Sequence, residues 1–347
     1  MSNIFLLISA SVIFSSGCKT VSDKTTTLPI ATQVNKNQTK LEDVKTLTTI
    51  VFGSCNRVDE AQPSWSDIAA ENPDLWMWLG DSIYGDSEDI EVLRSKYRKQ
   101  KEIPGYQNIL DRMPVIGIWD DHDYGVNNGD ETFPIKAASR DAFYDFLDIP
   151  MDSPMRNREG AYQSYEFASA NKSIKIILLD TRYFKDPIQR KIRKYILDAN
   201  NDMLGETQWQ WLQSEMEGNY DLLIIANGVQ VIPEEHPYEK WANYPTSRKR
   251  LLEMCFEAEG KVIFLSGDRH FGEISQMTTS NGKILYEVTS SGMTHSYEEL
   301  NEESNKYRKG SITTQLNYGI LQISEECILL QLKGEKGIIR NELSIKI

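Results

Sequence analysis

One pattern recurs along this chain and limits what it can fold into: a short apolar run breaks off and then delivers a metal-ligating side chain. Leu75-Trp76-Met77-Trp78-Leu79 ends in Gly80-Asp81, with Tyr84 three residues on. Pro114-Val115-Ile116-Gly117-Ile118-Trp119 runs into Asp120-Asp121-His122-Asp123. Lys261-Val262-Ile263-Phe264-Leu265-Ser266-Gly267 runs into Asp268-Arg269-His270, and Ile50-Val51-Phe52-Gly53-Ser54 into Cys55. Runs this short and this apolar read as buried strands rather than solvent-facing helices. A buried strand that carries a ligand at its carboxyl end places it where open α/β sheets bind.

The rest of the chain fits around those strands. Helical spacing predicts helices over residues 88–101, 136–147, 205–217 and 246–257, and apolar runs predict strands over 174–179 and 222–226. After residue 260 the pattern turns to strands, at 284–289, 319–324, 327–333 and 338–347, with short turns between the later ones. The charged stretch 301–309 reads as a loop or short helix. Alternation followed by a strand-rich end predicts an α/β fold: two packed sheets, a β-sandwich core flanked by helices (αββα), in one domain over residues 47–347. Trp76, Trp78, Trp119, Trp209 and Trp211 are assigned to packing.

The N-terminus reads differently. Residues 4–14 are apolar and uncharged, too short to span a bilayer comfortably, and Ser15-Ser16-Gly17-Cys18 follows. Small residues before a cysteine match a lipobox, so residues 1–18 are read as an export signal with lipidation at Cys18. That would anchor the protein to a bacterial membrane, facing the periplasm or the exterior; plain secretion is the alternative. Residues 19–46, rich in Thr, Lys, Asn and Gln, are read as a flexible tether.

Composition narrows the partners. The net charge of −13 argues against a nucleic-acid-binding surface, because phosphate recognition relies on Lys and Arg. It suits a protein that holds cations, or one that is simply soluble. The four cysteines show no metal-ribbon or disulfide spacing. Cys255 and Cys327 are assigned to packing.

The strand ends together offer a mixed ligand set. Asp81, Asp121, Asp123 and Asp268 are hard oxygen donors suited to Ca2+. Cys55, His122, His270 and a Tyr84 phenolate suit iron or zinc. Two cations side by side would orient a phosphate and lower the pKa of a bound water. Asp81, with two oxygens at a strand end, is the choice for a bridging ligand.

Phe52-Gly53-Ser54-Cys55, Leu79-Gly80-Asp81-Ser82-Ile83-Tyr84, Trp119-Asp120-Asp121-His122-Asp123 and Ser266-Gly267-Asp268-Arg269-His270-Phe271-Gly272-Glu273 resemble, in this order, the signature of PhoD-like alkaline phosphatases and phosphodiesterases, within the calcineurin-like metallophosphoesterases. Leu179-Asp180-Thr181-Arg182-Tyr183 and Ala226-Asn227-Gly228-Val229-Gln230 fit as well. The resemblance implies hydrolysis of phosphate esters by a metal-bound hydroxide at a binuclear or trinuclear site. It implies Fe3+ and Ca2+, with Zn2+ or Mn2+ as the alternative. Cys55, Asp81, Tyr84 and Asp268 would hold the iron, His270 would ligate, Asp81 would reach the calcium side, and Gln230 would line the second ion's cavity. Asp121, His122 and Asp123, with Asn127 or Asn128, would complete the site. His122, His270 and Arg182 would act catalytically. Arg182, Asn128 and Asn227 would contact the substrate, Arg182 as a bidentate phosphate clamp, unless it is spent in a salt bridge. The alternative is a non-catalytic lipoprotein of the same fold that binds a phosphorylated ligand. His236 and His295 are placed in loops, His236 either at the surface or in the substrate cleft.

Overall fold

The apolar runs form strands because consecutive residues serve two different cores. In the computed structural model, which describes residues 36–347 except 170, 193, 280, 281 and 301, Ile176, Ile224, Ile263 and Leu265 face one apolar cluster. Ile177, Leu223, Ile225, Val262 and Phe264 face another. A strand buried on both faces reads as a continuous apolar run rather than an alternating one.

In chain order the elements are α1 (Lys36–Asp43), β1 (Thr49–Gly53), α2 (Trp65–Ala70), β2 (Leu75–Leu79), α3 (Ile90–Glu102), α4 (Pro104–Arg112), β3 (Val115–Ile118), α5 (Asp121–Tyr124), α6 (Lys136–Phe146), β4 (Gln163–Ser169) and β5 (Lys172–Leu178). There follow a small hairpin, β6 (Arg190–Lys191) and β7 (Lys194–Tyr195), then α7 (Gly205–Glu215), β8 (Leu222–Ala226), α8 (Pro245–Glu257) and β9 (Lys261–Ser266). The chain ends with β10 (Gly272–Thr278), β11 (Ile284–Ser290), β12 (Arg308–Thr313), β13 (Tyr318–Ile323), β14 (Cys327–Lys333) and β15 (Ile339–Lys346).

Two sheets result, in the orders β15-β14-β13-β1-β2-β3 and β12-β10-β11-β9-β8-β5-β4. In the first, β1, β2 and β3 run parallel. In the second, β5, β8, β9 and β11 do. The antiparallel strands lie outside these parallel sets, so the carboxyl ends of seven parallel strands carry the loops that matter. Helices α2, α3, α4 and α6 bring Trp65, Leu93, Tyr97, Tyr106, Phe143 and Phe146 onto the first sheet's cluster. Helices α7 and α8 bring Trp209, Leu212, Leu251 and Cys255 onto the second sheet's. This is the two-sheet α/β sandwich flanked by helices that the pattern predicts.

The expected tether needs correction at its end. Residues 36–43 form α1, and Asn37 is buried: its side chain pairs with both backbone groups of Val115 (2.8 Å each) and with the Leu147 carbonyl (3.0 Å). It thereby finishes the hydrogen bonding of β3, an edge strand. The buried Asn37 amide holds this segment together with Leu41 and Val44, which pack against the first sheet's cluster, and Lys40, which donates to the Leu110 carbonyl; its mostly polar composition conceals that. The expected loop at 301–309 also gives way at its end to β12. The proposed export signal, Cys18 and the first part of the tether lie outside the described residues. Among the described residues no helix is long and apolar enough to cross a membrane.

Candidate metal centre

The loops after these strands turn abruptly, and the residues at the turns are the ligand types. Cys55, Asp81, Asn128, Asp268 and His270 all have left-handed backbones, with φ of 59°, 48°, 56°, 66° and 54°. A non-glycine residue there costs on the order of 1–3 kcal/mol, and such strain gathers at functional sites. Gly80 and Gly228 supply the room: a Cβ on Gly80 would lie 2.3 Å from the Asp120 Cβ, and one on Gly228 2.2 Å from the Asp120 Oδ1. The tight approach of these two loops seats Asp120 between the sheets.

Three overlapping groups of ligand atoms come together, each within 4.8 Å: Cys55, Asp81 and His270; Asp81, Asp121 and His122; Asp120, Asp121 and Asp268. Asp81 belongs to the first two. Its Oδ2 lies 3.4 Å from the Cys55 Sγ and 3.4 Å from the Tyr84 hydroxyl, while its Oδ1 accepts from the His122 backbone N–H at 3.3 Å. The carboxylate therefore faces both ways.

The electrostatics suit a cation. Burial, with the neighbouring Cys55 thiol and Asp121, holds the Asp81 carboxyl well above its usual range. Burial pushes Cys55 up to about 11 and raises Tyr84, Asp120 and Asp268. At Asp121 burial works in the same direction, but Arg182, His122 and the Asn128 N–H outweigh it and hold the group low. Without positive charge this cluster would keep protons it must shed to bind metal; a divalent ion inverts that preference. The Oδ2 of Asp120 and the Oδ1 of Asp121 are buried with no hydrogen-bond partner. Orphaned carboxylate oxygens are rare, and here both belong to the ligand groups. The residues fit metal ions.

The surrounding residues hold the ligands in place. The His122 Nδ1 lies 2.6 Å from Asp86. Burial opposes a charge on His122, yet Asp86 and Asp121 raise its pKa. Burial lowers that of His270, which keeps its ring neutral, as a metal ligand must be. The Asn128 N–H donates to the Asp121 Oδ2 at 2.6 Å.

Several expected roles change in the structure. Asp123 is not among the ligand groups; one of its oxygens accepts from the Asp120 N–H (2.6 Å) and the other from the Ser82 N–H and hydroxyl (3.1 and 2.9 Å). It caps α5, and the three-residue step from Asp120 to Asp123 at a helix start was the signal for that. Arg182 is fully enclosed and lies in the salt-bridge arrangement rather than the open phosphate clamp. It pairs with Asp120 and Glu239, each at 2.6 Å, and Glu239 also pairs with Lys185. Gln230 donates to Glu273 (2.6 Å) and Thr289 (2.8 Å), and its Oε1 has no partner. Asn227 accepts from the Trp241 indole at 2.9 Å, and its amide nitrogen is unpaired. The side-chain oxygen of Asn128 accepts from the Tyr195 hydroxyl at 3.2 Å; Asn127 lies outside the ligand groups, beside His122 in a surface pocket.

Two residues escaped the sequence reading. Asp120 stands in the ligand groups where Asp123 was expected. His295 was placed in a loop, but its Nε2 lies 3.0 Å from the Tyr84 hydroxyl, and its Nδ1 lies 3.0 Å from the Thr294 hydroxyl. It follows β11, the seventh parallel strand, whose run carries no ligand-type residue at its immediate end.

Two sheets whose strand ends gather carboxylates, imidazoles and a thiol define a phosphoesterase hydrolase of the metal-dependent kind. The profile of the PhoD-like phosphatases matches residues 50–326. The chain belongs to that family. Among solved structures it is similar to one described as the structure of PhoD, with a TM-score of 0.69 and 17% identity over 87% of this chain and 69% of that one. It is also similar to GAP50, described as the anchor in the inner membrane complex of Plasmodium (TM-score 0.57, 14% identity, 87% and 90% covered). A dimetal phosphatase from Danio rerio gives a TM-score of 0.54 at 12% identity, with 87% and 99% covered. At these identities the likeness speaks to the fold. No curated protein matches the chain.

Proposed function

We propose that this protein hydrolyses phosphate monoesters or diesters outside the cytoplasm, at a centre of two or more metal ions bridged by Asp81. The observation that carries this reading is the pair of orphaned carboxylate oxygens, on Asp120 and Asp121, inside a chain of overlapping ligand groups linked through Asp81 and Asp121. Cys55, Asp81, Tyr84 and His270 would hold one ion, a set whose thiol, phenol and imidazole suit iron. Asp81, Asp120, Asp121 and Asp268, all oxygen donors, would hold calcium or a similar hard cation beside it. Bound there, the ions would supply Lewis-acid polarisation of the phosphoryl group and a water acidic enough to attack.

The protein's own residues do the rest. Asp86 engages the Nδ1 of His122 and favours its protonated form, which leaves the Nε2 proton for the departing alkoxide. Arg182 acts through Asp120: it fixes one carboxylate oxygen and leaves the other for a ligand. Export and a lipid anchor at Cys18 remain part of the reading, on the apolar and small-residue pattern of the first 18 residues.

Purified protein reconstituted with iron and calcium should hydrolyse p-nitrophenyl phosphate or its bis-ester, and Asp81→Asn should lower turnover by several orders of magnitude. Near-parent turnover in that variant would remove Asp81 from the centre. A purple or brown band that disappears in Tyr84→Phe would mark iron bound to the tyrosine; a colourless active enzyme would point to Zn2+ or Mn2+.

A further inference from the structure

The β6–β7 hairpin is at odds with the chain around it. Residues 187–197 hold four basic residues, Arg190, Lys191, Arg193 and Lys194, and no acidic one, in a protein of net charge −13. Arg190, Lys191 and Lys194 are exposed; Arg190 lies over the Tyr195 ring at 5.3 Å. Beside these charges stand apolar side chains left open by the described residues: Ile192 at the tip is 92% exposed, Leu197 55% and Ile196 48%. Ile192 also has a φ of 61°, a backbone that β-branched residues avoid. A turn selected only to reverse the chain would carry Gly or Asn there.

The hairpin also adjoins the metal centre. The Tyr195 hydroxyl donates to the Asn128 side chain at 3.2 Å, and the Asn128 N–H donates to Asp121 at 2.6 Å. Whatever the hairpin rests on is therefore held next to the ligands.

We propose that this hairpin docks the protein on an anionic lipid bilayer, with its basic side chains among the headgroups and Ile192 in the interface, and so presents phosphoesters at that surface to the metal centre. A soluble polyanion would be held by the charges alone and would give an exposed isoleucine no place. Basic residues flanking bare apolar ones are the combination an anionic lipid interface takes up. The consequence for hydrolysis rests on the phosphoesterase reading; the docking does not.

Both sheets and both apolar clusters lie within residues 36–347, so a chain beginning at Lys19 keeps the fold and lacks the export segment. This chain is floated with vesicles of phosphatidylcholine, with and without phosphatidylglycerol. Binding should be ~10-fold tighter or better on the anionic vesicles and should weaken as salt is added. Arg190→Glu with Lys191→Glu, and separately Ile192→Asp, should each weaken it by about tenfold. Turnover of soluble p-nitrophenyl phosphate should be unchanged in both, which also shows that the variants fold. Equal binding to the two vesicles, or binding that neither variant weakens, would overturn the proposal. So would a loss confined to the charge reversals together with full competition by inorganic polyphosphate, which would mark a polyanion site. Docking that the variants abolish stands whether or not p-nitrophenyl phosphate is turned over, so a failure of hydrolysis strikes only the phosphoesterase reading.

Discussion

Asp81 could be found from sequence because it ends a five-residue apolar run behind a glycine, and strand ends are where ligands collect. Its neighbours in the second motif were harder. Asp120, Asp121 and Asp123 are equally acidic, and only the turn into α5 decides which face the centre. His295 had no motif to mark it: it sits among Ser and Thr after a strand with no acidic end, and the fold alone brings it to Tyr84. With Thr294 on one ring nitrogen and Tyr84 on the other, it orients the phenol. Residues in such supporting positions affect metal affinity or activity by about 10–100-fold, so His295→Phe should lower turnover within that range, measured with p-nitrophenyl phosphate, and His295→Gln should recover part of it. His236 makes a separate prediction. It is buried, its Nε2 has no partner, and burial, with Arg269 and Lys240 nearby, holds its pKa far below the ordinary value. The unfolded chain therefore takes up a proton there that the folded one refuses. The neutral ring's contribution is intact above about pH 6.5 and is lost as pH falls below that, at up to about 1.4 kcal/mol per pH unit. Urea midpoints measured from pH 7 to pH 5 should fall more steeply for the parent than for His236→Phe.

At the scale of elements, most of the central strands and the long helices were legible, since strands buried on both faces write themselves as unbroken apolar runs. The exact match at β8, whose residues are all buried, shows how sharp that signal is. The strands that were missed lie toward the sheet edges. β4 and β12 are outermost in the second sheet, half-exposed and mixed in composition, so their neighbours rather than their residues make them strands. α1 was illegible for the opposite reason: seven of its eight residues are polar, and a buried Asn with the half-buried Leu41 attaches them. That attachment can be measured. Asn37→Ala leaves the Val115 N–H and carbonyl without partners at a sheet edge, and a buried donor or acceptor left unpaired costs about 1–3 kcal/mol. Denaturant unfolding should show a loss of that size with little change in turnover. An unchanged midpoint would return residues 36–43 to the tether.

Across the whole molecule, seven parallel strand ends from two sheets meet at one place and bring with them more negative charge than a buried site tolerates alone. Two features follow from that convergence. The backbone is strained at five of the turn residues, and carboxylates are buried beside one another with oxygens unpaired. Both are costs that bound cations offset by stabilising the folded, deprotonated ligand set. The motif order foretold the convergence, and the two oxygens of Asp81 at a strand end foretold its shared place, but the enclosure of Arg182 behind Asp120 exists only in three dimensions. The most direct test of the account is the metal content of the purified protein beside that of Asp81→Asn, by elemental analysis. The expectation is two or more equivalents of metal per chain in the parent and a clear loss in the variant. A parent chain that hydrolyses phosphoesters while holding no metal, or a variant that retains the full complement, would contradict it.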